Sequence, residues 1–421
     1  MSAQKCPYSS IGEEYQPFEQ VGMADHFRRA RAEEPVFYNP ELDCWVVTKR
    51  ADVVAVFKDP DTYSASNSQD SVVPFPEAVQ QYLADGGYRR EPTQANCDAP
   101  KHTRIRKIAS RFFSPRRFRV LEPQIRAIMD EYVTRLKARD QVDLVGELAY
   151  ELPARVIFLL LGVPDIDVRQ IKYWSDNRFA MVWGRLDPAD AEGAGEQLLD
   201  YWNYCKALVA DRQENPGDDY ASGLLKIRNG DDDIISVNEI VNLVFGILLA
   251  GHETTTNGIA SMLYELLLDE RRWAQVCEGQ TPLRNVVDES LRYSPPFVTW
   301  RRRCTTDVEI SGVPIPKNST IMLALASANR DEEIFDEPEQ FDIDRNRPSM
   351  HVSFGLGAHF CMGAELARME MEIVLEELVK TFPNMSMVPD QDFQWAKTIS
   401  PRGLDKLMVN LNNAEPPSNT R

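Results

Sequence analysis

Apolar residues recur at three- and four-residue spacing over long parts of this chain, and at alternate positions over a few short parts. The first pattern predicts amphipathic helices and the second predicts strands. Gly22 to Glu34 carries the helical pattern, as do Ala51 to Lys58, Leu121 to Lys137, Leu144 to Leu161, Val168 to Trp183 and Ala189 to Glu214. Val36-Phe-Tyr38 and Trp45-Val-Val-Thr48 flank Asn39-Pro-Glu-Leu-Asp43, which predicts a hairpin. Shorter β-like pieces are Asp307 to Ile310, Val313 to Pro316, Thr320 to Leu323 and Lys406 to Val409. Between Ser64 and Pro100 the periodicity fades among prolines and Gly86-Gly87. A loop that long covers a pocket or is a surface insertion. Asn329 to Pro348 reads as an acidic, proline-containing meander. Residues 1–17 read as an irregular arm and 412–421 as a polar tail. No repeat or low-complexity linker divides what lies between, so residues 1–421 are expected to form a single, mainly α domain with small β-sheets.

One predicted helix stands apart. Ser236-Val-Asn-Glu239 is a capping-box pattern, and the helix it opens runs to about Asp269. At ~1.5 Å per residue that is on the order of 50 Å, enough to cross the molecule. Its first half is apolar on nearly every side, which predicts burial. Then comes Ala250-Gly-His-Glu-Thr-Thr255. Glycine weakens a helix by about 1 kcal/mol, a buried Glu must be paired, hydrated or neutral, and Thr side chains can bond to preceding carbonyls and bend the helix. Local rules broken together point to a functional site. The plainer alternative is a kink with a satisfied Glu253.

Charge and cysteine usage narrow the class. The 421 residues carry a net charge of -18, which argues against a nucleic-acid binder. Against that background Lys101, Arg104, Arg106, Lys107, Arg111, Arg116, Arg117 and Arg119 form a basic patch after His102. It is either a solvated helix face or a docking surface for an acidic partner or for carboxylates. Seven scattered cysteines without a CxxC pair exclude a disulfide framework or a cysteine-rich zinc site and suit a reducing cytosol. The longest apolar runs, Val156 to Leu161 and Val244 to Ala250, are too short to span a bilayer. A cytoplasmic protein without a membrane anchor is expected.

The candidate chemistry centres on Phe354-Gly-Leu-Gly-Ala-His-Phe-Cys-Met-Gly363, followed at once by the amphipathic Ala364 to Lys380. A helix starting just after Cys361 turns backbone N–H groups toward its sulfur and favours a thiolate. Such a thiolate serves as nucleophile, metal ligand or axial ligand of a haem iron, and a buried structural cysteine is the bland alternative. Within Asn285 to Tyr293, Glu289 and Arg292 share one helical face.

Four features in one order, His102-x-x-x-Arg106, Ala250-Gly-x-Glu-Thr-Thr255, Glu289-x-x-Arg292 and Phe354-Gly-x-Gly-x-His-x-Cys-x-Gly363, resemble the cytochromes P450. The resemblance runs from about Pro17 to about Leu411 and has a bacterial, soluble flavour. It implies the P450 fold, a large helical domain with a long central helix. It also implies a haem-thiolate monooxygenase that uses O2 to hydroxylate or oxidatively dealkylate a small hydrophobic or aromatic molecule. By this resemblance Cys361 is the proximal ligand of haem b. His359, Arg302, His102 and Arg106 meet the propionates, with Arg302 chosen among Arg301, Arg302 and Arg303 by its spacing to Asp307. Phe354, Gly355, Gly363 and Ala250 lie against the macrocycle. Glu253 and Thr254 are the catalytic acid–alcohol pair, Glu253 relaying protons to a water held by Thr254. Gly246, Leu249, Ala250, Phe297, Val298 and Ile399 line the substrate pocket. Glu289 and Arg292 are structural, joined by Arg345 or Arg347.

Electrons are expected from a separate ferredoxin or flavodoxin and its reductase, drawing indirectly on NAD(P)H and docking near Arg104 to Arg119. The chain is expected to be a monomer. A weaker similarity, in Glu34-Pro-Val-Phe-Tyr38 and Leu366-Ala-Arg-Met-Glu-Met371, is to haem domains of self-sufficient P450s. Two other readings are a peroxide-driven peroxygenase, which needs no proton relay, and a non-catalytic haem-binding protein.

Overall fold

The computed structural model describes residues 10–164, 167–187 and 189–412. Helices dominate, as the spacing of apolar residues predicts. The pattern over 168–183 becomes the helix Val168–Trp183, and that over 364–380 becomes Ala364–Thr381. The largest core joins the inner faces of Pro115–Lys137, Leu152–Leu161, Val237–Ala250, Glu253–Leu267 and Ala364–Thr381, with Ile125, Met129, Val156, Leu248, Leu263 and Leu375 fully or almost fully buried.

The hairpin forms as expected, with Val36–Asn39 antiparallel to Cys44–Val47. It belongs to a five-stranded sheet. Cys44–Val47 pairs in parallel with Thr320–Leu323, which pairs antiparallel with Trp300–Cys304, and Tyr63–Ser64 closes the far edge. Val308–Ile310 and Val313–Ile315 form a second hairpin, and Gln141–Asp143, Met408–Asn410 and Ser386–Met387 a small third sheet.

Several boundaries differ from expectation for local reasons. The expected irregular arm contains a helical turn, Ser10–Glu14, because Ile11 and Tyr15 bury themselves against Phe27 and Phe37; residues 1–9 and the tail from 413 lie outside the described residues. The expected loop from Ser64 to Pro100 holds the helix Glu77–Asp85, anchored only by Val79 and Leu83. Two apolar contacts are too few to make a legible period. Leu144 to Leu161 divides into a wide turn, Val145–Ala149, and the helix Leu152–Leu161, with Pro153 in its first turn, where a missing N–H costs nothing.

The central helix is two helices. Ser236 opens Val237–Ala250 with the expected capping box: Glu239 N donates to Ser236 Oγ at 3.1 Å, and Ser236 N donates to Glu239 Oε2 at 2.9 Å. The ladder stops at Gly251 and His252 and resumes as Glu253–Leu267. Across the break Thr254 Oγ1 donates to Ala250 O at 3.1 Å, so a side chain supplies the bond that the backbone gives up. Gly251 is needed there: a Cβ would lie 2.4 Å from Ile157 Cγ1 and 3.0 Å from Ile247 O.

Glu289 and Arg292 are both fully buried and bonded twice, at 2.7 and 2.8 Å. Arg345, not Arg347, completes the group at 3.1 Å from both oxygens of Glu289. Arg292 also donates to the carbonyls of Asn329, Pro338 and Gln340, so this charge cluster fastens the 329–348 meander.

Candidate active site

A cavity of about 250 Å³ lies between the break in the central helix and the Cys361 loop. Ala250, Gly251 and Thr254 form one wall, and Phe354, Gly355, Cys361 and Gly363 form the other. Gly357 lets the loop make its turn. Its φ is +68°, and a Cβ would sit 2.5 Å from the carbonyl oxygen of Phe57. Cys361 N donates to Phe354 O at 2.9 Å, which closes the loop.

Cys361 lines this cavity, and burial pushes its thiol up. The backbone N–H groups of Gly363 and Ala364 and the guanidiniums of Arg106 and Arg368 work in the opposite direction. The helix N-terminus and two nearby cations thus favour the thiolate against its desolvation, as the glycine spacing suggests.

Cationic and imidazole groups converge at one edge. The His102 and His359 rings meet at a tilt of 39° with centroids 4.1 Å apart. Arg302 is the member of the arginine triplet that lines the cavity, because Trp300–Cys304 is a strand and alternation turns Trp300 and Arg302 inward. Three consecutive arginines hid that strand from the sequence pattern. Burial lowers Arg302 to about 10, and burial together with Arg302 lowers His359 to about 4. Arg106 donates to Phe360 O at 2.5 Å. No ion pair reaches any of these four residues among the described residues. His102 Nε2 has no hydrogen-bond partner, and His359 Nδ1 and Arg302 Nη1 meet only the carbonyls of Gln94 and Arg301. His102 and Arg302 are buried and Arg106 and His359 half-buried. Asp98, the carboxylate within electrostatic reach of His102, Arg302 and His359, is already bonded to Ser64 and Ala65. Such a donor set fits a group that brings two carboxylates of its own.

On the distal wall Thr254 faces the cavity, but Glu253 does not. Its carboxylate turns away to Lys172 Nζ, 2.5 Å distant, with His252 Nε2 at 3.0 Å. The expected relay acid is therefore a buried, ion-paired one. Lys172 holds Glu253 below the usual carboxylate range. Asp176, bonded to Tyr150 Oη at 2.5 Å, is pushed up by burial and by the charge of Glu253. Sequence reasoning missed Lys172, His252, Asp176 and Tyr150. One signal was available: Lys172 falls on the same helical stripe as Ser175 and Phe179, a buried face where a lysine needs a partner.

Of the expected pocket residues, Ala250 and Phe297 line the cavity. Gly246, Leu249, Val298 and Ile399 do not. Leu249 and Ile399 are packed with Phe179 and Trp183, Val298 is buried with its N–H bonded to Ser400 O at 2.8 Å, and Gly246 faces Thr93. The basic patch is also partly used internally. Arg104 Nη2 lies 2.5 Å from Glu239 Oε1, with Lys101 Nζ 3.4 Å from the same oxygen, and Arg117 pairs with Asp218 at 3.2 Å.

Residues 281–402 match the family model for cytochrome P450. Over 378 residues the chain is 34% identical to 6-deoxyerythronolide B hydroxylase of Saccharopolyspora erythraea, covering 88% of this chain and 90% of that one. This chain belongs to the cytochrome P450 family. As such it is a haem-thiolate monooxygenase, and the family's cofactor is haem and its co-substrate O2. Among solved structures, this P450 superimposes on cytochrome P450 CREJ in complex with (4-ethylphenyl) dihydrogen phosphate with a TM-score of 0.92 at 36% identity, covering 95% of this chain and all of that one. An intact type IV self-sufficient cytochrome P450 monooxygenase matches with a TM-score of 0.92 at 33% identity over 98% of this P450 and 56% of that longer chain. The likeness to haem domains of self-sufficient enzymes thus extends beyond the two short motifs that first carried it. No helix among the described residues is long and apolar enough to cross a membrane.

Proposed function

We propose that this P450 oxidises a small hydrophobic or aromatic molecule, by hydroxylation or oxidative dealkylation, with Cys361 as the thiolate ligand of haem b. The observation that carries the reading is that Cys361 and Thr254 line one cavity. Thiolate-ligated haem supplies the O2 chemistry, since charge from the sulfur favours O–O cleavage. His102, His359, Arg302 and Arg106 would take the haem carboxylates, and Phe354, Gly355, Gly363 and Ala250 would line the space that holds it. The Thr254 hydroxyl, held by Ala250 O in this structure, is the group with a proton to offer at the distal wall. Glu253 acts behind it: a proton reaches Thr254 from that side only when the Glu253–Lys172 pair opens. The aromatic side chains of Phe297 and Trp300 on the cavity wall, and the aryl ligand of the related CREJ structure, support an aromatic substrate.

Electrons come from a separate ferredoxin or flavodoxin and its reductase, fed by NAD(P)H, to a monomeric, cytoplasmic single-domain enzyme. The donor docks on the side where Arg106 reaches Phe360 O beside Cys361. Lys107, Arg111, Arg116 and Arg119, which follow Arg106 in the chain, are exposed, which suits an acidic partner. The deciding experiment is the spectrum of the reduced, CO-bound protein. A Soret band at the thiolate-haem position is expected for the wild type and is lost in Cys361→Ala. A band typical of histidine ligation would sink the assignment of Cys361.

A further inference from the structure

The carboxylate of Glu253 turns toward a group of ionisable side chains that differ in their access to solvent. Lys172 and His252 have no exposed surface. Tyr201 is fully buried, and its hydroxyl donates to Phe245 O at 3.2 Å. Asp176 is the exception. It is exposed to solvent on one side, and on the other its carboxyl comes within hydrogen-bond reach of Glu253. Asp176 Oδ2 also accepts from Tyr150 Oη at 2.5 Å. Tyr150 is half-buried, and burial together with the Asp176 carboxyl keeps its hydroxyl protonated. Tyr150 therefore orients Asp176 and passes no proton. Among the described residues around Glu253, Asp176 is the ionisable group that joins the buried carboxylate to the surface.

Two carboxyls in contact repel each other when both are ionised, so the pair holds one proton between them. Lys172 decides which carboxyl has it. Against the cost of burial, its ammonium 2.5 Å from Glu253 Oε1 keeps Glu253 ionised. The proton then rests on Asp176, which burial of its inner side and the charge of Glu253 push up to about 7. The other charges nearby are already balanced. Glu151, the remaining acid facing Tyr150, is paired with Arg169 at 3.0 Å. Burial and Lys172 keep His252 neutral. The helix Ala191–Glu214 meets this stretch through the neutral Gln197, bonded to Tyr173 and Asn177, and through Tyr201. Lys172 has a second foothold, since its Nζ lies 4.1 Å over the Tyr150 ring.

We propose that Asp176 is the solvent-side entry of the proton path to Thr254, loading Glu253 when Lys172 releases it. The O–H bond of Asp176 breaks as an O–H bond on Glu253 forms. Lys172, one turn before Asp176 on the same helix, then pairs with the carboxylate left behind. Solvent returns a proton to Asp176, and Lys172 goes back to Glu253 once that acid has given its proton up. Asp176 acts through Glu253 and not on the reacting atoms, so it is a positioning residue for proton delivery. This inference rests on the monooxygenase reading with Glu253 as relay acid, and it carries the relay to the surface.

Asp176→Asn is the test, because the amide keeps the shape and neutrality of the protonated acid and removes only its proton. The haem-loaded protein is assayed with 4-ethylphenol as probe and a ferredoxin and reductase that support NAD(P)H oxidation by the wild type. Asp176→Asn is expected to oxidise NAD(P)H about tenfold more slowly, with a larger solvent isotope effect in D2O. It should also lose the decline that the wild type shows above about pH 7, and Asp176→Glu should regain most of the rate. Infrared spectra of the resting protein give a readout without turnover. A protonated-carboxyl C=O band should fade as pH rises through neutrality in the wild type and be missing in Asp176→Asn. Wild-type rate, isotope effect and pH profile in Asp176→Asn, an equal loss in Asp176→Glu, or the lack of a carboxyl band that the substitution removes overturns the entry. Thr254→Ala, run alongside, separates this failure from that of the relay. If peroxide rises in Thr254→Ala while Asp176→Asn matches the wild type, only the entry falls; if Thr254→Ala changes nothing, the relay reading falls. A reduced CO spectrum without the thiolate-haem band overturns the haem reading instead.

Discussion

Lys172 Nζ lies 2.5 Å from Glu253 Oε1 at the point where the central helix restarts. The pair is buried, so each charge depends on the other for compensation. Lys172→Met is expected to destabilise the haem-loaded protein by about 3–5 kcal/mol, the range for removing one member of a buried pair. The pH dependence has a definite sign. Glu253 is held below the ordinary carboxylate range, so the unfolded chain binds its proton first as pH falls. The contribution of the pair is fully present above about pH 4.5 and drains away below it. Denaturation midpoints measured from pH 6 to pH 3 should fall less steeply in Lys172→Met than in the wild type.

Thr254→Ala removes the hydroxyl at the cavity wall along with its bond to Ala250 O. Haem content and substrate affinity are expected to persist, while product formed per electron drops and peroxide rises. Unchanged coupling of NAD(P)H consumption to product would remove Thr254 from proton delivery.

Gly357→Ala should loosen the Cys361 loop. The φ of +68° disfavours any side chain, and the Cβ would meet a backbone oxygen 2.5 Å away, which cannot rotate aside. A loss of about 1–3 kcal/mol and faster haem dissociation are expected. Gly193→Ala is the opposite control. It sits in Ala191–Glu214 with nothing within 4 Å of a Cβ, and should stabilise by up to about 1 kcal/mol.

Reversing exposed charges tests the docking side. Lys107→Glu together with Arg116→Glu should lower kcat/KM for an acidic ferredoxin by about tenfold at low ionic strength, with the difference shrinking as salt rises. Arg104→Glu is a different experiment, because it sets a carboxylate against Glu239 and strains the cap of the central helix. An unchanged salt dependence in the Lys107/Arg116 variant would place docking elsewhere.

The sequence made the helices legible where an apolar stripe had a polar opposite face, as in Val168–Trp183. It also made the Cys361 loop legible, because glycines and a cysteine at that spacing serve few backbone geometries. It was silent where a side chain's direction depends on something distant. Arg302, expected by its spacing to Asp307 to meet the haem propionates, lines the cavity, yet the strand that turns it there was hidden by its neighbours. Glu253 could be recognised as costly in a buried helix, but its partner lies 81 residues away, and only the packing of two helices shows that the carboxylate faces Lys172 and not the cavity. Arg104 looked like free surface charge because Glu239, its partner, is remote in sequence. Pocket residues were the least legible, since Leu249 and Ile399 are apolar whether they line a cavity or fill a core.

The parallel pairing of Cys44–Val47 with Thr320–Leu323 has a consequence for synthesis. The amino-terminal hairpin emerges from the ribosome early, but the strand that covers its open edge is made some 275 residues later. At roughly 5–20 residues per second the wait is about 14–55 s. During that interval an unpaired edge holding Trp45, Val46 and Val47 is available to other chains. Slow elongation, high expression or a shortage of chaperones should therefore reduce the yield of this enzyme through its first fifty residues, far from the haem-binding loop.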